Sequence, residues 1–151
     1  MIIRKASTSD FTQLKALKEE FFLWECQKDP YLDPRWARRG LGSRLARNLK
    51  QKNGAFFVAE TGGKLIGYAG VAVEDNPASF RARKKGHIFN LYVLEAFRRK
   101  GVAKLLFQKA VAWLKAQKVG EHMIMVYDEN ELAHRWYNRL GYKDTIIILK
   151  K

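Results

Sequence analysis

Apolar residues recur along this chain with two alternating periods. Leu14, Leu17, Phe21 and Trp24 fall three or four apart, the spacing of an amphipathic helix with one face in a core. Ser7-Thr8-Ser9-Asp10 lies just ahead and supplies helix-cap candidates. Ile2–Lys5 reads as a short first strand. Ala55–Glu60 and Leu65–Glu74 are dense apolar runs around Thr61-Gly62-Gly63-Lys64, a hairpin pattern. Ile88–Leu94 is rich in β-branched, aromatic and aliphatic residues, as in a buried strand. Helical spacing returns at Val102, Leu105, Leu106, Ala110, Trp113 and Leu114 and runs to about Gln117. His122–Tyr127 predicts another strand. A helix from Glu129 or Asn130 to Arg139 follows, closed by Gly141, and Thr145–Leu149 is a last strand.

The segment after Lys28 is less regular. Asp33-Pro34 suits a helix start, and Ala37, Leu41, Leu45 and Leu49 share a face. Gly40 and Gly42 each weaken that helix by about 1 kcal/mol relative to Ala. Ala37-Arg38-Arg39-Gly40-Leu41-Gly42-Ser43 imitates a glycine-containing phosphate turn, but no strand precedes it, so it reads as a surface helix with a basic face. The order β-α-α-β-β-β-α-β-α-β defines an α/β (α+β) fold with a mixed, mostly antiparallel sheet and helices on both faces. The hairpin strands are antiparallel, and the helix-linked strands Ile88–Leu94 and His122–Tyr127 parallel. The expected organisation is one domain over residues 1–151.

Composition sharpens this picture in two places. One cysteine, Cys26, excludes an internal disulfide and suits a reducing cytoplasm. With no long apolar span and no leader-like N-terminus, a cytoplasmic protein away from membranes is expected. A net charge of +14 favours anionic partners: a phosphorylated cofactor, nucleic acid or an acidic protein. Arg81, Arg83, Lys84 and Lys85 form the densest basic cluster. A second copy of the chain, as a homodimer, is also among the expected partners.

The chemistry concentrates after the Ile88–Leu94 strand. Arg98-Arg99-Lys100-Gly101-Val102-Ala103-Lys104 is a basic turn running into a helix. Free N–H groups at a helix start, backed by the positive end of the dipole, attract anions. Gly101 permits close backbone approach, and Ala103 keeps the next position small. This suits a diphosphate. No Gly-x-x-x-x-Gly-Lys-Ser/Thr loop and no Gly-x-Gly-x-x-Gly after a strand is present, so two other nucleotide-binding classes fit badly.

Arg98-x-x-Gly101-x-Ala103 after Leu91-Tyr92-Val93, together with Asn130-x-x-Ala133-x-x-x-Tyr137-x-x-x-Gly141-Tyr142, resembles the signature of the GNAT family of N-acetyltransferases. The resemblance implies a GNAT-like sheet of six to seven strands. It implies acetyl-CoA as cofactor, with its pyrophosphate on the turn from Arg98 through Lys104, and an amine as acceptor. It implies that the two parallel strands splay apart to admit the pantetheine arm. It places the oxyanion donors on the backbone along Leu91, Tyr92 and Val93, Asn130 on the cofactor arm, and Tyr137 as the group that protonates the departing thiolate. Asn130 fits a helix cap equally well, and Tyr137 fits a packed aromatic.

The base is where this sequence departs from the family. Phe89 stands where many members carry Glu or Asp. His87, two residues earlier, shares a strand face with that position, and a histidine titrates near neutrality. Its alternative is a strand-start residue meeting solvent. No metal is expected. Only 15 acidic residues against 29 basic ones argue for a neutral or anionic acceptor, or an amine displayed on an acidic protein or RNA. The competing class is a degenerate module that binds coenzyme A or nucleic acid without turnover.

Overall fold

A computed structural model describes residues 1–148 and 150. Five strands form one sheet in chain order: β1 (Ile2–Lys5), β2 (Gly54–Thr61), β3 (Lys64–Asp75), β4 (Lys84–Val93) and β5 (His122–Met123). The pairs from β1 to β4 are antiparallel, and β4 pairs β5 in parallel. The helices are α1 (Phe11–Lys28), α2 (Trp36–Arg39), α3 (Leu41–Asn48), α4 (Val102–Ala116) and α5 (Glu131–Arg139). The predicted hairpin forms because Gly62 and Gly63 take φ of 54° and 74°, the left-handed geometry a tight hairpin turn needs.

Both faces of the sheet are covered, which is why β2 and β3 read as continuous apolar runs rather than alternating ones. One face packs Phe57, Ala59, Ile66, Val71, Ile88 and Val93 against Leu106, Phe107, Ala110 and Leu114 of α4. The other packs Phe56, Val58, Leu65, Tyr68 and Tyr92 against Leu14 and Leu17 of α1 and Leu45 of α3. Among the described residues, no helix is long and apolar enough to cross a membrane.

A bulge in β4 sets the site. Tyr68 pairs Tyr92 and Gly70 pairs Phe89, so Asn90 and Leu91 together oppose Ala69. Asn90 takes φ 52°, and the two side chains Phe89 and Asn90 both turn toward the α1 face. Gly70 makes room for this: a Cβ there would stand 2.3 Å from the Phe89 ring.

The sheet differs from expectation at its far edge. Of the predicted His122–Tyr127 strand only His122 and Met123 pair, with Gly86 and His87. The β4 bulge at Asn90 and Leu91 lies just beyond the last pair. Thr145–Ile148 joins no strand, and Ile146, Ile147 and Ile148 are exposed. Leu149, the end of that predicted strand, lies outside the described residues. The expected six to seven strands are therefore five among the described residues, with the mixed, mostly antiparallel class intact.

Candidate active site

The turn after β4 combines features that attract anions. A 3-10 turn at Glu95–Phe97 reverses the chain, and Arg98 Nε then donates to Val93 O at 3.0 Å. The Arg98 guanidinium also lies 5.8 Å from the Tyr92 ring centre. Arg99 and Gly101 have φ of 61° and 80°, so successive N–H groups curl into a concavity ahead of α4. No side chain caps α4 and no acidic residue lies in its first turn, so the N–H groups of Val102, Ala103 and Lys104 keep their dipole field. Within the fold, a Cβ at Gly101 would meet no other protein atom within 4 Å, and the left-handed φ is what selects glycine. Arg98, Arg99, Lys100 and Lys104 are exposed, and Lys100 Nζ donates to Ala96 O at 3.0 Å. Val102 turns its side chain into the core, so it offers only its N–H.

Past His87, β4 runs without β5 beside it, so the strand through Leu91, Tyr92 and Val93 has an open edge. Val93 is buried against α4, whereas Tyr92 points the other way and donates its hydroxyl to Glu20 Oε1 at 2.6 Å. Burial and that carboxylate push the Tyr92 phenol up to about 12.

Tyr137 sits on the α4 face. Its ring lies 5.9 Å from Phe107, 4.9 Å from Trp136 and 5.8 Å from Tyr142. Burial raises its pKa well above the ordinary phenol value, so the hydroxyl keeps its proton across the neutral range. Asn130 caps α5: its Oδ1 accepts from Ala133 N at 3.3 Å. Its amide Nδ2 remains a donor. Asn130 also borders a cleft of about 210 Å³ between Trp24, Lys28, Tyr127 and Glu129.

His87 lies on the α1 face. Its Nδ1 faces Glu74 Oε1 at 3.1 Å, while Nε2 is buried without a hydrogen-bond partner. In the neutral ring, a carboxylate beside Nδ1 favours the tautomer with the proton there and the lone pair on Nε2. Phe89 packs edge-on to the imidazole at 5.5 Å. Among the described residues no hydrogen bond or ring contact joins His87 to Tyr137; the two belong to opposite faces of the sheet. Among the described residues no group of three or more His, Cys, Asp and Glu is placed to hold a metal.

Sequence reading missed the polar residues of α1. Lys18 Nζ donates to Asn90 Oδ1 at 3.0 Å and stands 5.0 Å and 5.1 Å from the Phe56 and Tyr68 ring centres. Its pKa is brought down to about 8, chiefly by burial, with Glu25 opposing the shift and Arg44 adding to it. Burial pushes the Glu25 carboxyl up to about 7, against the pull of Lys18. The signal was present: Lys18 and Glu25, seven apart, interrupt the stripe of Leu14, Leu17, Phe21 and Trp24.

A five-stranded mixed sheet whose parallel pairing ends early lies beside a basic helix-start turn, an α/β architecture. The family model "Acetyltransferase (GNAT) family" matches residues 47–142, and the chain belongs to that family. An N-alpha-acetyltransferase of Sulfurisphaera tokodaii is 31% identical over 109 residues, covering 69% of this chain and 65% of that protein. An uncharacterized N-acetyltransferase of Chlorobaculum tepidum is 33% identical over 101 residues, covering 67% of this chain and 57% of that protein. The chain thus spans somewhat less than two thirds of these relatives. Among solved structures, a predicted acetyltransferase of Clostridium acetobutylicum with acetyl-CoA superposes with TM-score 0.80 at 22% identity, covering 99% of this chain and 94% of that one. A tetramutant of a Bacillus halodurans protein reaches TM-score 0.81 at 24% identity, covering 100% of this chain and 99% of that one.

Proposed function

We propose that this chain is an acetyl-CoA-dependent N-acetyltransferase that acetylates an amine. The observation that carries the reading is the turn from Arg98 to Lys104, left-handed at Arg99 and Gly101, basic and without an acidic cap, beside the open edge of β4. Those residues fit a diphosphate-bearing cofactor with an extended polar arm. When bound, acetyl-CoA supplies an acyl group activated as a thioester.

The chain's own residues divide the remaining work. N–H groups of Gly101 to Lys104, with the side chains of Arg98, Arg99, Lys100 and Lys104, hold the phosphates. Backbone N–H groups along Leu91, Tyr92 and Val93 stabilise charge on the carbonyl oxygen. Tyr137, neutral by burial, donates its proton to the departing sulfur. An amine near its free pKa of about 10.4 is mostly protonated and must lose a proton to attack. His87 Nε2, with Glu74 behind Nδ1, is the group that takes it, directly or through water. Asn130, while capping α5, keeps Nδ2 for the cofactor arm.

The test is release of free coenzyme A thiol with a panel of amines, paired with mass detection of the acetylated product. Gly101→Glu adds a side chain, strain and a negative charge to the concavity, so it is expected to abolish acetyl-CoA binding by calorimetry. Unchanged affinity in that variant removes the turn from the site. Phe89 and the net charge of +14 favour a second reading, a binding module without turnover. Tight cofactor binding with no acetylated product, and salt-dependent RNA binding, would establish that reading instead.

A further inference from the structure

Lys18 and Asn90 occupy the face of β4 opposite Tyr137, next to the bulge where the strand edge opens. A lysine ammonium has three donors, and here Asn90 Oδ1 takes one. Two aromatic rings flank the charge but do not neutralise it. Arg44, on α3, is close enough to disfavour the charge on Lys18, and none of the ion pairs among the described residues involves Arg44. Lys18 therefore presents a cation beside a neutral amide between α1 and the bulge, with the exposed Arg44 within reach of its field. A buried charge is retained at a cost unless something pairs it. The nearby carboxylates do not close the pair. Glu20 is held by Tyr92, and Glu19 by Lys15. Glu25 is the one acidic group whose field reaches Lys18, and no ion pair joins them.

We propose that Lys18, Asn90 and Arg44 form an anion-recognition site on the acceptor side of the sheet, so that the amine acceptor carries a carboxylate. The proposal rests on the acetyltransferase reading and narrows it to a substrate class. A single negative charge matches the site better than a phosphate dianion, because Glu25 lies within the same field. The bulge serves specificity here. It adds Asn90 to the face that already carries Phe89, and so presents an amide to whatever Lys18 holds.

The experiment compares glycine, β-alanine and γ-aminobutyrate with their amides as acceptors, and the N-acetyl derivatives of all six as product ligands. Binding is measured by calorimetry with and without coenzyme A in wild type, Lys18→Met and Arg44→Gln. Hydrogen bonds to charged groups are worth about 1.5–3 kcal/mol, so at least one acid should bind about tenfold tighter than its amide. Lys18→Met keeps the stem and should bring that ratio close to one, with coenzyme A affinity unchanged. If Lys18→Met fails to fold by its melting curve, Arg44→Gln decides. Its side chain is exposed, and its ratio should fall by about threefold or more. Equal binding of every acid and its amide by wild type, or no detectable binding of any acid, overturns the proposal. So does a ratio that survives in the folded lysine variant or stays unchanged in Arg44→Gln. Failure of the acetyltransferase reading looks different: acetyl-CoA does not bind, while the acid-to-amide ratio is still read without it.

Discussion

At the scale of single residues, two groups carry sharp predictions. The Tyr137 hydroxyl is held protonated by burial among Phe107, Trp136 and Tyr142. Tyr137→Phe keeps those ring contacts and removes only the donor. General acid catalysis is typically worth about 10²–10⁴-fold, so kcat should fall at least about tenfold while acetyl-CoA affinity changes less than about threefold. Steady-state kinetics on a turned-over amine, with chemistry rate-limiting, check this; wild-type kcat would leave Tyr137 a packing residue. Asp10 has a structural job. Its carboxylate accepts from both Arg4 terminal nitrogens at 2.7 Å and 2.8 Å and from Ser7 N at 2.8 Å. The guanidinium beside it holds the carboxyl at about 2 instead of 3.8. A lowered acid contributes stability above its unfolded value and loses it as pH falls from 3.8 through 2. Asp10→Asn should therefore cost about 2 kcal/mol at pH 7. The gap to wild type should close between about pH 4 and 2 in denaturant titrations.

At the scale of elements, the basic approach to β4 separates charge from packing. Arg81, Arg83 and Lys84 are exposed, and Lys85 approaches Glu74 only at 4.0 Å. Exposed charges usually change stability by under about 0.5 kcal/mol each. Replacing Arg81, Arg83, Lys84 and Lys85 with Gln should leave the melting temperature nearly unchanged and weaken acetyl-CoA binding at low salt; a large melting shift with intact binding would assign these residues to the fold. Elements with a strong period were legible in the sequence. α4 shows the 3.6-residue stripe and β2–β3 the glycine hairpin, and both arise from local spacing and turn chemistry. The turn into α4 was legible because Gly101 and the helical spacing after it mark a helix start. What the sequence hid depends on pairing across the sheet. The Asn90 bulge exists only relative to Ala69, and the fate of His122–Tyr127 and Thr145–Ile148 depends on partners the apolar runs cannot name. Lys18 and Glu25 were overlooked because a helical stripe was read for its apolar members alone.

At the scale of the whole molecule, the shallow junction of β4 with β5 divides the chain unevenly. Only Gly86 with His122 and His87 with Met123 join the two strands. Beyond them, the C-terminal segment is fastened by rings around Phe107, by Lys28 with Glu129, and by Lys150 with Asp29. The sheet from β1 to β4, by contrast, is paired along its length and packed on both faces. The molecule should therefore contain two cooperative units of unequal strength, and native-state amide exchange should open residues 122–140 at lower denaturant than β2–β4. If acetyl-CoA binds across the gap as proposed, it stabilises only states in which both units are in place, by RT ln(1 + [L]/Kd). Exchange in residues 122–140 should then slow with added cofactor toward the rate of the sheet; uniform exchange without ligand would count against the division. A ligand held across the parted strands would be a folding partner: the protein is expected to unfold in two steps without it and in one with it.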